Sequence, residues 1–223
     1  MKAQTALVLG ATGLIGTHLL KILLADEAFE KVIVLVRKQL EIQHPKLVVQ
    51  QVNLNDPADF QNKLIGGDAI FCCIGTTMKK VKGDKSTYRK IDFDIAVNAA
   101  KFGLVAGYEK YVLVSSVGAN AASNNFYLQL KGEVENAIAA LNYKAFHIFQ
   151  PSILLGERAE RRPAEMIAQG IMEATSVLFF GKYAKYKAIK AESVAKAMVK
   201  ASKKEEEGKF VYTYQQIKKL GKQ

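Results

Sequence analysis

The amino-acid sequence predicts an α/β fold, a doubly wound parallel sheet wrapped by helices, and three observations carry that expectation. Six short runs, TALVLG, KVIVLVR, KLVVQQVN, AIFCCIG, KYVLVSS and AFHIFQ, are apolar on consecutive positions, as strands covered on both faces are. Between them lie segments with apolar residues at three- and four-residue spacing, the mark of helices that bury one stripe. With 223 residues, 49% hydrophobic and 24% charged, the chain can enclose one full core and does not read as a disordered tail. No repeat, low-complexity tract or Pro/Gly/Ser linker divides it, so a single domain over 1–223 is expected.

Taken in order, the first strand, Thr5 to Leu9, runs into Gly10-Ala11-Thr12-Gly13-Leu14-Ile15-Gly16 and then an amphipathic helix, Leu14 to Ala25. A glycine triplet between strand and helix has a mechanism. Gly10 permits the tight turn, and Gly13, with Thr12, Leu14 and Ile15 around it, lets backbone N–H groups approach a pyrophosphate. Gly16 lets the helix pack closely on the sheet with its positive end aimed at the phosphates.

The second strand, Val32 to Val36, ends in Arg37-Lys38. A carboxylate at this place would bind the ribose 2′-hydroxyl of NAD, whereas two cations suit the 2′-phosphate of NADP, so NADP(H) is expected over NAD(H). The plainer alternative has Arg37 pointing into solvent. After the third strand comes Val52-Asn53-Leu54-Asn55-Asp56-Pro57. Its polar side chains suit an adenine edge, although Asp56 reads better as the N-cap of a helix beginning at Pro57. Further helices are expected over Lys85 to Phe102, Asn125 to Leu141, Pro163 to Leu178 and Ala191 to Ala201, with a short strand at Lys209 to Tyr214.

The net charge of +11 suggests a polyanion partner only until it is located. From Lys182 to Gln223 there are 12 Lys and 4 Glu, a net of +8, which leaves +3 for residues 1–181. Only five of the 32 basic residues are Arg, the side chain that dedicated phosphate and base readers favour, so nucleic acid is disfavoured and a solvated lysine surface preferred. Cys72 and Cys73 are adjacent in an apolar run and read as small buried residues rather than a disulfide framework. His18, His44 and His147 show no ligand spacing, so no metal is expected. No leader peptide and no apolar stretch of membrane-spanning length is evident, and a soluble cytoplasmic protein is expected.

Five segments together resemble the short-chain dehydrogenase/reductase superfamily, specifically its atypical branch of single-domain oxidoreductases related to the Tat-interactive protein. They are Gly10 to Gly16, Phe71-Cys72-Cys73-Ile74-Gly75-Thr76-Thr77, Val114-Ser115-Ser116-Val117-Gly118-Ala119, the run Phe126 to Glu135, and Pro151-Ser152-Ile153-Leu154-Leu155-Gly156-Glu157-Arg158. The resemblance covers nearly the whole chain. It implies a Rossmann-like fold that binds NADPH and a Tyr, Lys, Ser reductase site, with residues 157–223 forming a small substrate-side or lid region; some relatives are better known as regulatory binding proteins. It also implies that Asn53 stands where an acidic residue often meets adenine. By the same resemblance Cys73, Ile74 and Gly75 pass the cofactor ribose and pyrophosphate, and Leu154 and Arg162 flank its nicotinamide end and phosphates.

Tyr127 and Lys131 are four residues apart on a predicted helix and leave the same face. A nearby ammonium favours the phenolate and draws a phenol towards useful acid–base chemistry. Ser116, eleven residues before Tyr127, would bind the substrate carbonyl oxygen and steady developing charge. Ser115 is its rival, and the resemblance favours the second serine of the pair. Asn98 reads as a buried, hydrogen-bonded helix residue, with a water relay as the alternative. The chain is therefore expected to be an NADPH-dependent oxidoreductase of a small carbonyl or alcohol; the other reading is an NADPH-binding regulatory or scaffold protein with little turnover. Substrate identity and oligomeric state stay open.

Overall fold

The computed structural model describes residues 3–156 and 186–222. Nine strands are present among them: β1 (Gln4–Leu9), β2 (Phe29–Val36), β3 (Leu47–Gln51), β4 (Ala69–Cys72), β5 (Lys110–Val114), β6 (Ala145–Phe149), β7 (Leu154–Leu155), β8 (Ile189–Lys190) and β9 (Gly208–Tyr212). The helices are α1 (Leu14–Ala25), α2 (Pro57–Lys63), α3 (Lys85–Arg89), a π-helical turn Lys90–Asp94, α4 (Ile95–Val105), α5 (Phe126–Ala139), α6 (Ala191–Ser202) and α7 (Tyr214–Gly221). Seven strands form one sheet in the order β3-β2-β1-β4-β5-β6-β9, every pairing parallel, while β7 and β8 make a separate short ladder. The order reverses direction at β1, where β2 lies on one side and β4 on the other.

Consecutive residues of β1 serve opposite faces of this sheet. Ala6 and Val8 join the core shared with α1 and α6 (Leu19, Leu23, Val194, Met198), whereas Leu7 and Leu9 join the core under α2, α4 and α5 (Phe60, Ala99, Val134, Ile138). Two covered faces explain why the strands carry no polar alternation.

The boundaries of α1 and the start of α6 fall where the periodicity placed them, and the Asp56 carboxylate caps α2 by accepting from the N–H groups of Ala58 and Asp59. One expectation is corrected. The stretch Lys85 to Phe102 is not one regular helix but α3, a π-helical turn and α4, because an extra residue in the turn re-aims the side chains around position 92. The ladder β7–β8 and the helix α7 were not foreseen; α7 is fixed by a capping box between Thr213 and Gln216. The expected helix Pro163 to Leu178 and Arg162 lie outside the described residues.

His147 on β6 is fully buried, stacks on Phe210 of β9 at 5.2 Å and pairs through Nδ1 with the Tyr212 hydroxyl at 3.1 Å. Burial, helped by the Lys110 and Lys204 charges, lowers its pKa from the ordinary 6.5 to about 4. The folded protein therefore binds fewer protons here than the unfolded chain between those two pH values, so stability is retained above pH 6.5 and lost as pH falls towards 4. Up to about 3 kcal/mol is at stake. Urea unfolding at pH 7.5 and pH 5 is expected to show the parent losing more stability on acidification than a His147→Phe variant; equal losses would show that His147 does not set the slope.

Candidate active site

The C-terminal ends of β1, β2, β4 and β5 converge at the point where strand order reverses, where open α/β sheets present a crevice. Gly10 leaves β1 at φ +79, and a Cβ there would lie 2.7 Å from the carbonyl carbon of Cys73. The glycine turn and the end of β4 are thus in backbone contact. A Cβ on Gly16 would collide with the Gly10 carbonyl, which holds α1 against the turn. Gly13 is the N-cap of α1 and supplies no capping side chain, nor is there an acidic residue in the first turn. By contrast α2, α3 and α5 are capped by Asp56, Asp84 and Asn125. The N–H groups opening α1 are left for an outside acceptor, and the exposed Thr12 and Gly13 frame them. Leu14 is half-buried and Ile15 packs into the core.

Arg37 and Lys38 are exposed just past β2, next in register to the glycine turn because Leu9 pairs with Leu35. Asn53, also exposed, accepts from the N–H of Asn55 through its side-chain oxygen at 3.1 Å. Cys73 and Ile74 are half-buried and Gly75 exposed beyond β4. That corrects the reading of Cys73 as a small buried residue like Cys72: it stands one position past the end of β4 and is half-buried. Burial still pushes both the Cys72 and Cys73 thiols up from their ordinary value, so neither is a reactive thiolate. Leu154, in β7, is half-buried against the core on the α1 side.

On the other side of β4, Asn125 caps α5 by accepting from the N–H groups of Tyr127 and Leu128, which places Tyr127 in the first turn with 38% of its surface exposed. Lys131, one turn on, is buried, and its Nζ lies 5.9 Å from the Tyr127 ring centroid. The two share a face as their spacing predicted. Ser115 and Ser116 are separated by their partners. The buried Ser115 hydroxyl donates to Glu135, which also accepts from Gln150 at 2.9 Å, whereas the half-buried Ser116 hydroxyl makes, among the described residues, only a long 3.4 Å contact to the Val117 carbonyl. Burial raises the Glu135 carboxyl, opposed by the Ser115 and Gln150 hydrogen bonds. The loop bearing Ser116 is locked to α5 where the N–H of Asn120 donates to the Leu128 carbonyl at 3.0 Å. Gly132 packs against the Asn120–Ala121 backbone so closely that any Cβ would push loop and helix apart.

Sequence reasoning missed Asp92. It sits in the π-helical turn, 2% exposed, with Oδ1 2.9 Å from Lys131 Nζ and Oδ2 accepting from the Thr76 N–H at 2.7 Å. One carboxylate thus ties α5 to the loop after β4. Burial alone would lower Lys131, but the Asp92 charge beside it and the nearby Tyr127 hold it above the ordinary lysine value. The signal was present as an acid on an apolar stripe, since Tyr88, Ala96 and Ala99 bury the same side of the segment. Asn98, by contrast, is half-buried on α4 and is not the residue that meets Lys131.

The family profile described as NAD(P)H-binding matches residues 10–205. The chain belongs to the NAD(P)H-binding family. Within it, the chain is 39% identical over 157 residues to Protein FMP52-1, mitochondrial, of Scheffersomyces stipitis, covering 70% of this chain and 69% of that one. It is 32% identical over 172 residues to Protein HTATIP2 of Rattus norvegicus, covering 76% and 70%. The latter bears out the atypical short-chain dehydrogenase/reductase resemblance. Among solved structures, MoeE5 in complex with UDP-glucose and NAD superimposes with a TM-score of 0.70 at 17% identity, covering 94% of this chain and 75% of that one; at that identity it speaks for the fold alone. The expected cytoplasmic setting is corrected by the fungal members of this NAD(P)H-binding family, whose descriptions place them in mitochondria. Apolar content and run length bear on folding and membrane crossing, and neither encodes the compartment to which a folded domain is delivered. Among the described residues no helix is long and apolar enough to cross a membrane, and no cluster of three or more His, Cys, Asp or Glu is arranged to hold a metal.

Proposed function

We propose that the protein is an NADPH-dependent oxidoreductase that reduces a small carbonyl or oxidises the matching alcohol. The observation that carries this reading is the union of two half-sites by Asp92: the loop beside the glycine turn and the Tyr127–Lys131 face of α5 meet on one buried carboxylate. The glycine turn fits a dinucleotide, because the Cβ positions of Gly10 and Gly16 are closed by backbone and α1 is uncapped towards the turn. In this reading Gly10, Thr12, Gly13, Leu14, Ile15 and Gly16 bind the pyrophosphate, and Asn53 borders the adenine. Cys73, Ile74 and Gly75 pass the ribose and pyrophosphate and Leu154 flanks the nicotinamide end; Arg162, assigned with Leu154 from the sequence, lies outside the described residues. The domain spans 1–223, with 157–223 contributing the substrate side.

When bound, the nicotinamide supplies a hydride, and the protein does the rest. Ser116, whose hydroxyl among the described residues makes a long contact to the Val117 carbonyl and no bond to a carboxylate as that of Ser115 does, binds the carbonyl oxygen and orients it. Tyr127 gives that oxygen its proton. Lys131 stands behind the phenol as a fixed positive charge, held by Asp92, and stabilises the phenolate left when the proton departs. The fungal relatives' descriptions make mitochondria our reading of where this happens.

Arg37 and Lys38, exposed past β2 with no carboxylate between them, favour the 2′-phosphate. Fluorescence titration is expected to give NADPH at least tenfold tighter binding than NADH, with Arg37→Glu removing or inverting the preference; NADH binding as tightly as NADPH would overturn the choice of cofactor. A panel of aldehydes, ketones and quinones, followed by loss of NADPH absorbance, tests the reaction itself. Tight NADPH binding with no carbonyl turned over across the panel would instead identify a nucleotide-binding regulatory protein.

A further inference from the structure

We propose that the substrate taken at Tyr127 carries a negative charge, recognised by the basic segment that leads from β4 into α3; this rests on the reductase reading above. Residues 79–90 hold Lys79, Lys80, Lys82, Lys85, Arg89 and Lys90 against the single carboxylate Asp84. That excess of +5 is larger than the +3 of the whole stretch 1–181. The lysine-rich C-terminal region, where the composition puts most of the charge, is partly compensated: Lys203 pairs with Asp26, Lys204 with Glu206, Lys196 with Glu192. Within 79–90, three lysines, Lys79, Lys82 and Lys90, are not compensated in this way among the described residues. Asp84 is spent capping α3, where it accepts from the Ser86 N–H and the Thr87 hydroxyl. Arg89 is taken by Glu133 at 2.5 Å. Lys79, Lys82 and Lys90 are exposed and form no ion pair among the described residues.

The segment is also tied down by backbone hydrogen bonds and packs against α5. Backbone bonds from Gly83 N–H to the Met78 carbonyl and from Lys82 N–H to the Lys79 carbonyl close it into a turn, and Val81 and Tyr88 bury against Leu130 of α5. Tyr88 meets the ring of Phe126 edge-on at 5.7 Å, and Lys85 Nζ lies 5.3 Å from the same ring. Phe126 immediately precedes Tyr127. The segment that carries the uncompensated lysines therefore packs against the Tyr127 end of α5, on the β4 side of the sheet, whereas Arg37 and Lys38, which this reading gives to the cofactor, follow β2. Exposed charge of one sign beside a reacting group raises the local concentration of an oppositely charged ligand and speeds its arrival. A carboxylate- or phosphate-bearing carbonyl compound fits this arrangement; a neutral one leaves it without a purpose.

A matched pair separates charge from shape: 4-formylbenzoate and its methyl ester. In the full chain with NADPH, kcat/KM for the acid is expected to exceed that for the ester by about tenfold, and the advantage to shrink as salt rises towards 0.5 M. Lys79→Glu/Lys82→Glu is expected to lower the acid-to-ester ratio by about tenfold while the NADPH dissociation constant stays within twofold. Calorimetry on protein saturated with NADP+, in which no hydride is available, should show the acid binding more tightly than the ester. Tighter acid binding without reduction of either compound would sink the reductase reading and keep the anion site. An acid that binds no more tightly than its ester, or a double variant that weakens NADPH instead, overturns the anion site.

Discussion

With alanine at position 92, the protein is expected to lose about 3–5 kcal/mol of stability, since removing one member of a buried ion pair leaves the other charged and unsolvated. The partner left behind is Lys131, whose side chain is 8% exposed. The Thr76 N–H loses its acceptor in the same step, so the loop after β4 is released from α5 as well. Urea denaturation at pH 7 measures the loss, and the paired replacement Asp92→Leu/Lys131→Met is expected to recover most of it, because an apolar pair of similar volume needs no counter-charge. That double variant should still fail to turn over carbonyl compounds, which separates what the pair does for the fold from what Lys131 does for Tyr127. An Asp92→Ala protein within about 1 kcal/mol of the parent would mean that water reaches Lys131 and that the pair adds little.

Tyr127→Phe is expected to lower kcat for carbonyl reduction by about a thousandfold, within the span attributed to a positioned acid–base group, with the NADPH dissociation constant changed less than twofold. Only the hydroxyl is lost. The first turn of α5 is kept by Asn125, which accepts from main-chain N–H groups and not from the phenol, and the ring is already partly exposed, so no cavity opens. Stopped-flow measurement of single-turnover NADPH oxidation, with fluorescence titration alongside, distinguishes a chemical defect from a binding defect. A variant that keeps the parent rate removes Tyr127 from the mechanism and moves attention to Ser116. A variant that loses NADPH affinity in proportion to rate would make the residue a cofactor contact only.

Much of this site could be read from residue order because its parts are local. Gly10, Gly13 and Gly16 act within one turn, and Tyr127 and Lys131 within one turn of helix, so spacing alone brings each set together. The strands were legible for a related reason: burial on both faces writes itself as consecutive apolar residues. Asp92 was not legible in the same way. Its meaning depends on a partner 39 positions away on another helix, and on a π-helical turn that a 3.6-residue period does not anticipate. The tie between Ser115 and Glu135 was likewise illegible, because it is made across the strand–helix interface. The net charge misled by its location: the tail lysines that dominate the composition are partly paired in the fold, and the smaller basic group at 79–90 is exposed on a segment that packs against the start of α5.

The far edge of the sheet has its own consequence, for the way the molecule opens. β9 is an edge strand that pairs in the large sheet with β6 alone, across a stretch of chain about as long as the one between β1 and β4, so with a single neighbouring strand to hold it, it is among the first contacts to be released. The same pairing encloses His147 against Phe210 and Tyr212, so acid acts first on this edge. Three strands, β4, β5 and β6, separate β9 from β1, about 19 Å at ordinary strand spacing. Mild acidification should therefore raise amide exchange in β9 and β6 before it reaches β1 and the glycine turn, giving a partly open form that still grips its nucleotide.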